Sequence, residues 1–458
     1  MESVWTEDTE IKRREPLPGD REVPAVVIGA GLAGILTAYY LQKEGIRTVV
    51  LEADRIGSGQ TKNTTAKITS QHNLIYSRLI RTFGRRMAEH YASANETAIG
   101  EYERLIREKG IRCDFARCPA YLYTQTRPEL LKQETEAAAS LGIQATFGTG
   151  CELPFPVAGV TRFQGQARFH PLKFLAGMAE EVEVYEQTKV LKVEGRRVET
   201  ARGTVTAEHI VFASHYPFLN VPGWYFARMH QERSYVLALE GAERLEGMYL
   251  GIDQGGLSFR SSGDLLLLGG GGHRTGVSRK DGAGQGYVLL RGRAEEIYPG
   301  CQETAHWSAQ DCVTLDGLPF IGRFSRRRPC WYVATGFGKW GMTTAMVSAR
   351  ILTSLIGGRE CPEGDIFSPG RRFTAQAAKG LAVHGAYTVK GLAKHLLPSG
   401  DREIVPNCPH MGCRLEWNPE EESYDCPCHG SRFRREGRLI DGPAQTDCRR
   451  KRAGGERR

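Results

Sequence analysis

Apolar residues gather in a short run at Val26–Ile28, break at three closely spaced glycines, and resume from Ile35 to Glu44 before Gly45. This pattern predicts a strand, a tight turn and a helix closed by Gly45. A second apolar run, Thr48–Leu51, ends at Glu52 and reads as the next strand. Further on, residues 188–212 read as a three-stranded meander returning on His209–Ala213, and Tyr235–Leu239, Met248–Gly251 and Asp264–Leu268 read as strands. Tyr332–Thr335 predicts a strand that enters Gly-rich turns and then a helix. Val23–Leu41 is uncharged and long enough to span a bilayer, yet its β-rich start and its glycines favour strand, turn and helix. No internal repeat is visible.

The glycines carry the first chemical signal. In Gly29-x-Gly31-x-x-Gly34, Gly29 permits the turn, Gly31 lets the backbone approach a pyrophosphate, and Gly34 lets helix and strand pack closely. The helix N-terminus then offers unpaired N–H groups to phosphate, and Glu52 is placed to accept hydrogen bonds from a ribose. The small and hydroxyl-bearing loop 57–65, with Thr64 and Thr65, suits further pyrophosphate or ribityl contacts. The other glycine cluster, Gly269–Gly272, continues as His273–Arg274 and lacks the third glycine of such a motif, which argues against a dedicated NAD(P)H domain.

Length and charge change the picture modestly. A chain of 458 residues exceeds one compact core, and 40% hydrophobic with 25% charged residues excludes collagen-like or wholly disordered classes. The net charge of +8 is concentrated in the last ten residues, with six basic side chains and one acidic, so a near-neutral body with a basic tail (449–458) gives no reason to expect nucleic acid. Residues 1–20 have neither secretory nor twin-arginine character, so a cytoplasmic location without a membrane span is expected.

The opening fingerprint, Val190 in its strand, Asp316–Gly317–Leu318–Pro319 and Gly336–Phe337–Gly338–Lys339–Trp340–Gly341 together resemble the glycine/D-amino-acid oxidase family of FAD-dependent oxidoreductases over residues 22–372. The resemblance implies bound FAD, with Gly29, Gly31, Gly34 and Glu52 on the ADP half and Val190 over the adenine. It implies Gly336, Gly338, Gly341 and Met342 near the flavin ring. It also implies an α/β Rossmann-like FAD-binding domain (about 22–110, 155–222 and 306–372). An α+β substrate domain (about 111–154 and 223–305) would be interleaved with it, its antiparallel sheet capping the flavin.

Residues 403–448 carry the strongest local signal. Cys408-x-His410, fifteen residues, then Cys426-x-x-His429 resembles the Rieske [2Fe–2S] motif. The resemblance implies a small all-β module with Cys408 and Cys426 on one iron and His410 and His429 on the other, a mixed ligation that raises the potential. A Cys2His2 zinc site and a plain redox-active cysteine cluster are the alternatives, although Cys-x-His is tight for structural zinc. Cys413 and Cys428 match the pair that forms a disulfide in one branch of the family, and a reducing cytoplasm leaves open whether they do so here. Ser431 matches a serine that supports a bridging sulfide, whereas Phe433 stands where that branch has tyrosine. Only a reduced base is expected beneath the cluster loops, without an obvious closing strand. Residues 373–402 read as a linker that wraps or docks.

Together the two resemblances imply a dehydrogenase. Substrate reduces FAD, which discharges one electron at a time through the cluster to an external acceptor. The implied substrates are amines, amino acids or N-methylated glycine derivatives. Lys339, His273 and Arg233 are the candidate catalytic residues, the arginine as a clamp on a substrate carboxylate, against ordinary surface or sheet-edge roles. The alternatives are a flavin/iron–sulfur reductase fed by a carrier protein and a redox sensor that turns over no substrate.

Overall fold

The computed structural model describes residues 2–277, 286–394 and 404–449. Most of the basic tail and the end of the expected linker lie outside these.

The opening strand is Arg21–Ile28, five residues longer than its apolar run predicts. The extra residues are held by parallel pairing with Gly203–Phe212, where Arg21 faces Val205 and Glu22 faces Thr206. Backbone hydrogen bonding, which needs no apolar side chain, sets this boundary. The helix runs Leu32–Lys43 and begins three residues early, because Leu32 N–H is satisfied by Thr61 Oγ1 at 3.1 Å. Thr48–Leu51 and Glu183–Tyr185 extend the parallel sheet on one side. Arg328–Thr335 extends it on the other, with Phe320–Ser325 antiparallel at the edge. The expected meander is present as Val190–Glu194, Arg197–Thr200 and Gly203–Phe212. Helix Gly341–Ile356 packs beside Leu32–Lys43 and Arg85–Lys109, burying the apolar sheet face around Val27, Val50 and Val211.

The second sheet has nine strands. The three strands expected from the sequence are there, and two are longer: Met229–Glu240, Met248–Gly251 and Leu265–Arg274. Gln302–Thr314 pairs along nearly the whole of Met229–Glu240. Gly159–Arg168 and Lys67–Ile68 also belong to this sheet, so the division at residue 155 falls too early. Gly159–Arg168 pairs with Ala116–Thr124 across the full strand, and pairing partners decide which sheet a half-polar strand joins.

The expected linker contains a 19-residue helix, Ala375–Ala393, whose N-cap Thr374 accepts from Ala377 N–H at 3.1 Å. It docks on the body formed by the two large sheets through His384 Nε2 to Phe226 O at 2.7 Å and Gly380 against Leu315. The C-terminal module is a four-stranded antiparallel sheet, Glu416–Asn418, Ser423–Asp425, Arg432–Arg434 and Leu439–Asp441. A closing strand, missed because it is three residues long, thus precedes Gly442–Pro443.

Candidate flavin cavity and iron–sulfur centre

A cavity of about 890 Å³ runs between the two large sheets. This lies in the upper part of the range of about 300–1,000 Å³ usual for ligand and cofactor sites. Its wall includes Gly29, Gly31, Glu52, Thr64, Thr65 and Val190 toward the parallel sheet, and Gly338, Lys339, Gly341 and Met342 at the other helix N-terminus. Gly31 is the residue before the first turn of Leu32–Lys43, so that turn faces the cavity. Glu52 accepts from Ala30 N–H at 2.7 Å and Asp54 N–H at 2.9 Å. Burial raises its pKa against the lowering effect of those bonds.

Two of the expected glycines do not line this cavity. A Cβ on Gly34 would lie 1.9 Å from Gly29 O, so Gly34 is needed for the close packing of turn on helix. Gly336 has φ +70° and faces Thr314 Cγ2. Asp316 serves structure as well: Arg371 donates to both its carboxylate oxygens, and Leu318 N–H closes the turn.

The cluster motif forms two facing loops. Cys408 N–H bonds Cys413 O at 2.8 Å, and Cys426 N–H bonds Ser431 O at 2.9 Å. The rings of His410 and His429 are 4.9 Å apart, and the Cys408 and Cys426 thiols share a hydrogen bond. Both histidine Nδ1 atoms are buried without a hydrogen-bond partner, while His410 Nε2 meets Asn220 Oδ1 at 2.7 Å. Two orphaned imidazole nitrogens beside two thiols are the donor set that a histidine- and thiolate-ligated cluster requires. Cys413 and Cys428 form a disulfide, so their sulfurs do not serve as thiolate ligands although both lie within 4.8 Å of Cys426 Sγ. Ser431 bonds Cys408 and accepts from Ala444 N–H at 3.0 Å. Phe433 is fully buried.

The module and the cavity meet along one seam. Gln231 Nε2 donates to His429 O and Gly442 O, both at 2.8 Å, and Gln310 Nε2 donates to Gly430 O at 2.7 Å. Both glutamines also line the cavity, as do residues 439–445 of the module. Arg274 holds Pro427 O and Cys428 O at 3.0 and 2.9 Å.

Among the candidate catalytic residues, Lys339 lies on the cavity wall. His273 Nε2 pairs with Tyr235 OH at 2.9 Å, and His273 is not among the wall residues. Arg233 points away from the cavity into the seam. Only 1% exposed, it bonds Glu421 of the module, Nε to Oε2 at 2.9 Å, with Ser308 and Gln310 around it. Carboxylate pairing is right for its chemistry, but the carboxylate is the protein's own. Gln231 and Gln310 were missed. For Gln231 the signal was the polar run His230–Gln231–Glu232–Arg233 ahead of the apolar run from Tyr235 onward.

The architecture is that of a flavin-dependent oxidoreductase carrying an iron–sulfur module. Residues 25–355 match the FAD dependent oxidoreductase family (DAO), and residues 403–450 match the Rieske [2Fe-2S] domain. The chain is 36% identical to the putative Rieske 2Fe-2S iron-sulfur protein YhfW of Bacillus subtilis (strain 168), across 97% of this chain and 96% of that protein. In fold it is similar to glycine oxidase from Geobacillus kaustophilus, with TM-score 0.65, 19% identity, and coverage of 77% of this chain and 99% of that one. It is likewise similar to L-amino acid deaminase from Proteus vulgaris, with TM-score 0.63, 17% identity, and coverage of 80% and 98%. The chain belongs to the FAD-dependent oxidoreductase family and carries a C-terminal Rieske domain; it is an oxidoreductase that binds FAD and a [2Fe–2S] cluster.

Proposed function

We propose that this protein is a dehydrogenase for an amine, amino acid or related small molecule. Its electrons pass singly from FAD to the Rieske cluster and on to an external acceptor, and it works in the cytoplasm. The supporting observation is the shared cavity: residues 439–445 of the iron–sulfur module wall the same space as the dinucleotide fingerprint. Gln231 and Gln310 reach from that wall to the cluster loop. FAD supplies the two-electron oxidation of a C–N bond. Gly29, Gly31, Glu52, Thr64, Thr65 and Val190 would hold its ADP half and linker, and Gly338, Gly341 and Met342 its ring. The chain's own groups exclude water, position the substrate and accept its proton. No helix among the described residues is long and apolar enough to cross a membrane.

Rapid anaerobic mixing with a panel of amines and amino acids tests this reading. Flavin bleaching followed by the EPR signal of a reduced cluster supports it. Bleaching without cluster reduction removes the relay, and bleaching by no compound removes the dehydrogenase.

A further inference from the structure

A carboxylate on the cavity wall has no role in cofactor binding or in the seam. Asp311 lies in Gln302–Thr314, directly across the antiparallel pair from Glu232, and lines the cavity. Its Oδ2 accepts from Ser234 Oγ at 3.2 Å, and Ser234 is on the same wall. Lys339 Nζ approaches Glu232 Oε2 at 4.0 Å, and the other oxygen of Glu232 meets His230 Nε2 at 3.2 Å. Two carboxylates therefore share one lysine ammonium. The nearby guanidiniums are engaged elsewhere, Arg233 with Glu421 and Arg274 with the carbonyls of Pro427 and Cys428. Arg274 keeps its charge, but neither it nor Arg233 is on the cavity wall, where Asp311 stands beside Lys339, whose ammonium Glu232 also draws on.

The two carboxylates differ in kind. Burial pushes Asp311 up to about 6, with Glu232 adding to the effect and Lys339, Ser234 and Arg233 opposing it. Burial would raise Glu232 too, but His230, Lys339 and Arg274 hold it at about 2. A proton arriving here settles on Asp311.

We propose that Asp311 receives the cationic nitrogen of the substrate and takes its proton, and that the substrate is an alkylammonium compound with no carboxylate on the carbon bearing nitrogen. In this step an N–H bond of the ammonium breaks. The proton goes to the Asp311 carboxylate, and the electron pair stays on nitrogen. The neutral amine is the form from which a hydride can leave carbon for a two-electron acceptor. A carboxylate on that carbon would be carried against Asp311, and Lys339, already facing Glu232, compensates it poorly. Lys67, another cation of the cavity, is bound to Tyr249 O and Ser258 Oγ at 3.0 and 2.6 Å. Along the sheet, Ser258 is three strand steps and four residues from Asp311. At about 4.8 Å per strand and 3.4 Å per residue, that is on the order of 20 Å between backbones, too far for one small zwitterion to bridge.

The inference rests on the amine-dehydrogenase reading, and three non-oxidisable probes of similar shape separate the two. tert-Butylammonium, 2-aminoisobutyrate and pivalate present a cation, a zwitterion and an anion, none with hydrogen on the central carbon. Calorimetric titration of the holoprotein should show tert-butylammonium binding at least tenfold tighter than the others, weakening as pH falls below about 6. Asp311→Asn, checked for unchanged flavin and cluster absorbance, should abolish that preference and its pH dependence, and Asp311→Glu should retain part of it. Tighter binding of the zwitterion or anion by the wild-type protein overturns the role of Asp311 and leaves the dehydrogenase standing. Binding of none of the three overturns the Asp311 site, while the bleaching panel alone decides the dehydrogenase. The wild-type comparison decides the matter even if the asparagine variant does not fold.

Discussion

Glu421 lies between two buried guanidiniums, Arg233 from the substrate sheet and Arg432 from its own module, the latter at 3.1 Å. Burial would raise its carboxyl, but Arg233 and Arg432 hold it down at about 2. A carboxylate depressed on folding contributes stability above its unfolded pKa and loses it as pH falls through the folded value. This contribution is therefore present at neutral pH and fades between about 4.5 and about 2. Glu421→Gln should flatten that part of the acid-unfolding curve. Removing one partner of a buried pair costs about 3–5 kcal/mol, so Arg233→Met should lower thermal stability markedly, read by calorimetry. Phe433 supplies no hydroxyl to the cluster; Phe433→Tyr should raise the midpoint in a potentiometric titration, because a donor to sulfide favours the electron-rich reduced form. At this scale the sequence was uneven. Ligand residues announce themselves by spacing, so Cys408, His410, Cys426 and His429 were legible. The roles of Arg233 and Asp311 were not, because they depend on Glu421 in the other module, 188 positions away, and on the cross-strand partner Glu232, 79 positions away.

Helix Ala375–Ala393 occupies the Ala-, Lys- and Gly-rich stretch that reads as a linker that wraps or docks, and it docks with only Ala377, His384 and Gly391 buried along it. Gly391 lies directly against the disulfide: a Cβ there would sit 2.6 Å from Cys428 Sγ. Gly391→Val should thus disturb the cluster loops first, seen as loss of iron and sulfide, with FAD then held less firmly because residues 439–445 of the same module wall its cavity. Strand existence was legible throughout the two large sheets because runs such as Met248–Gly251 are apolar. Strand ends were not, because Arg21, Glu22 and Met229–Arg233 are held by backbone pairing alone or by contacts to the other module.

At the scale of the whole molecule, the fold class and both cofactor families follow from motifs, whereas the arrangement of modules does not. Among the described residues, the four strands of the iron–sulfur module are three residues each, in keeping with the reduced base expected. The missing support comes from the flavoprotein, through Gln231, Gln310, Arg274 and the Arg233–Glu421 pair. These contacts fix the cluster loops to the rim of the cavity.

Residues 439–445 close one side of that cavity, and this bears on how the protein matures in the cell. A dinucleotide must be threaded in before the metal-bearing head folds down, or else together with it. A chain starved of iron would keep an unlatched, leaky pouch, and its yellow colour would wash out along with its brown.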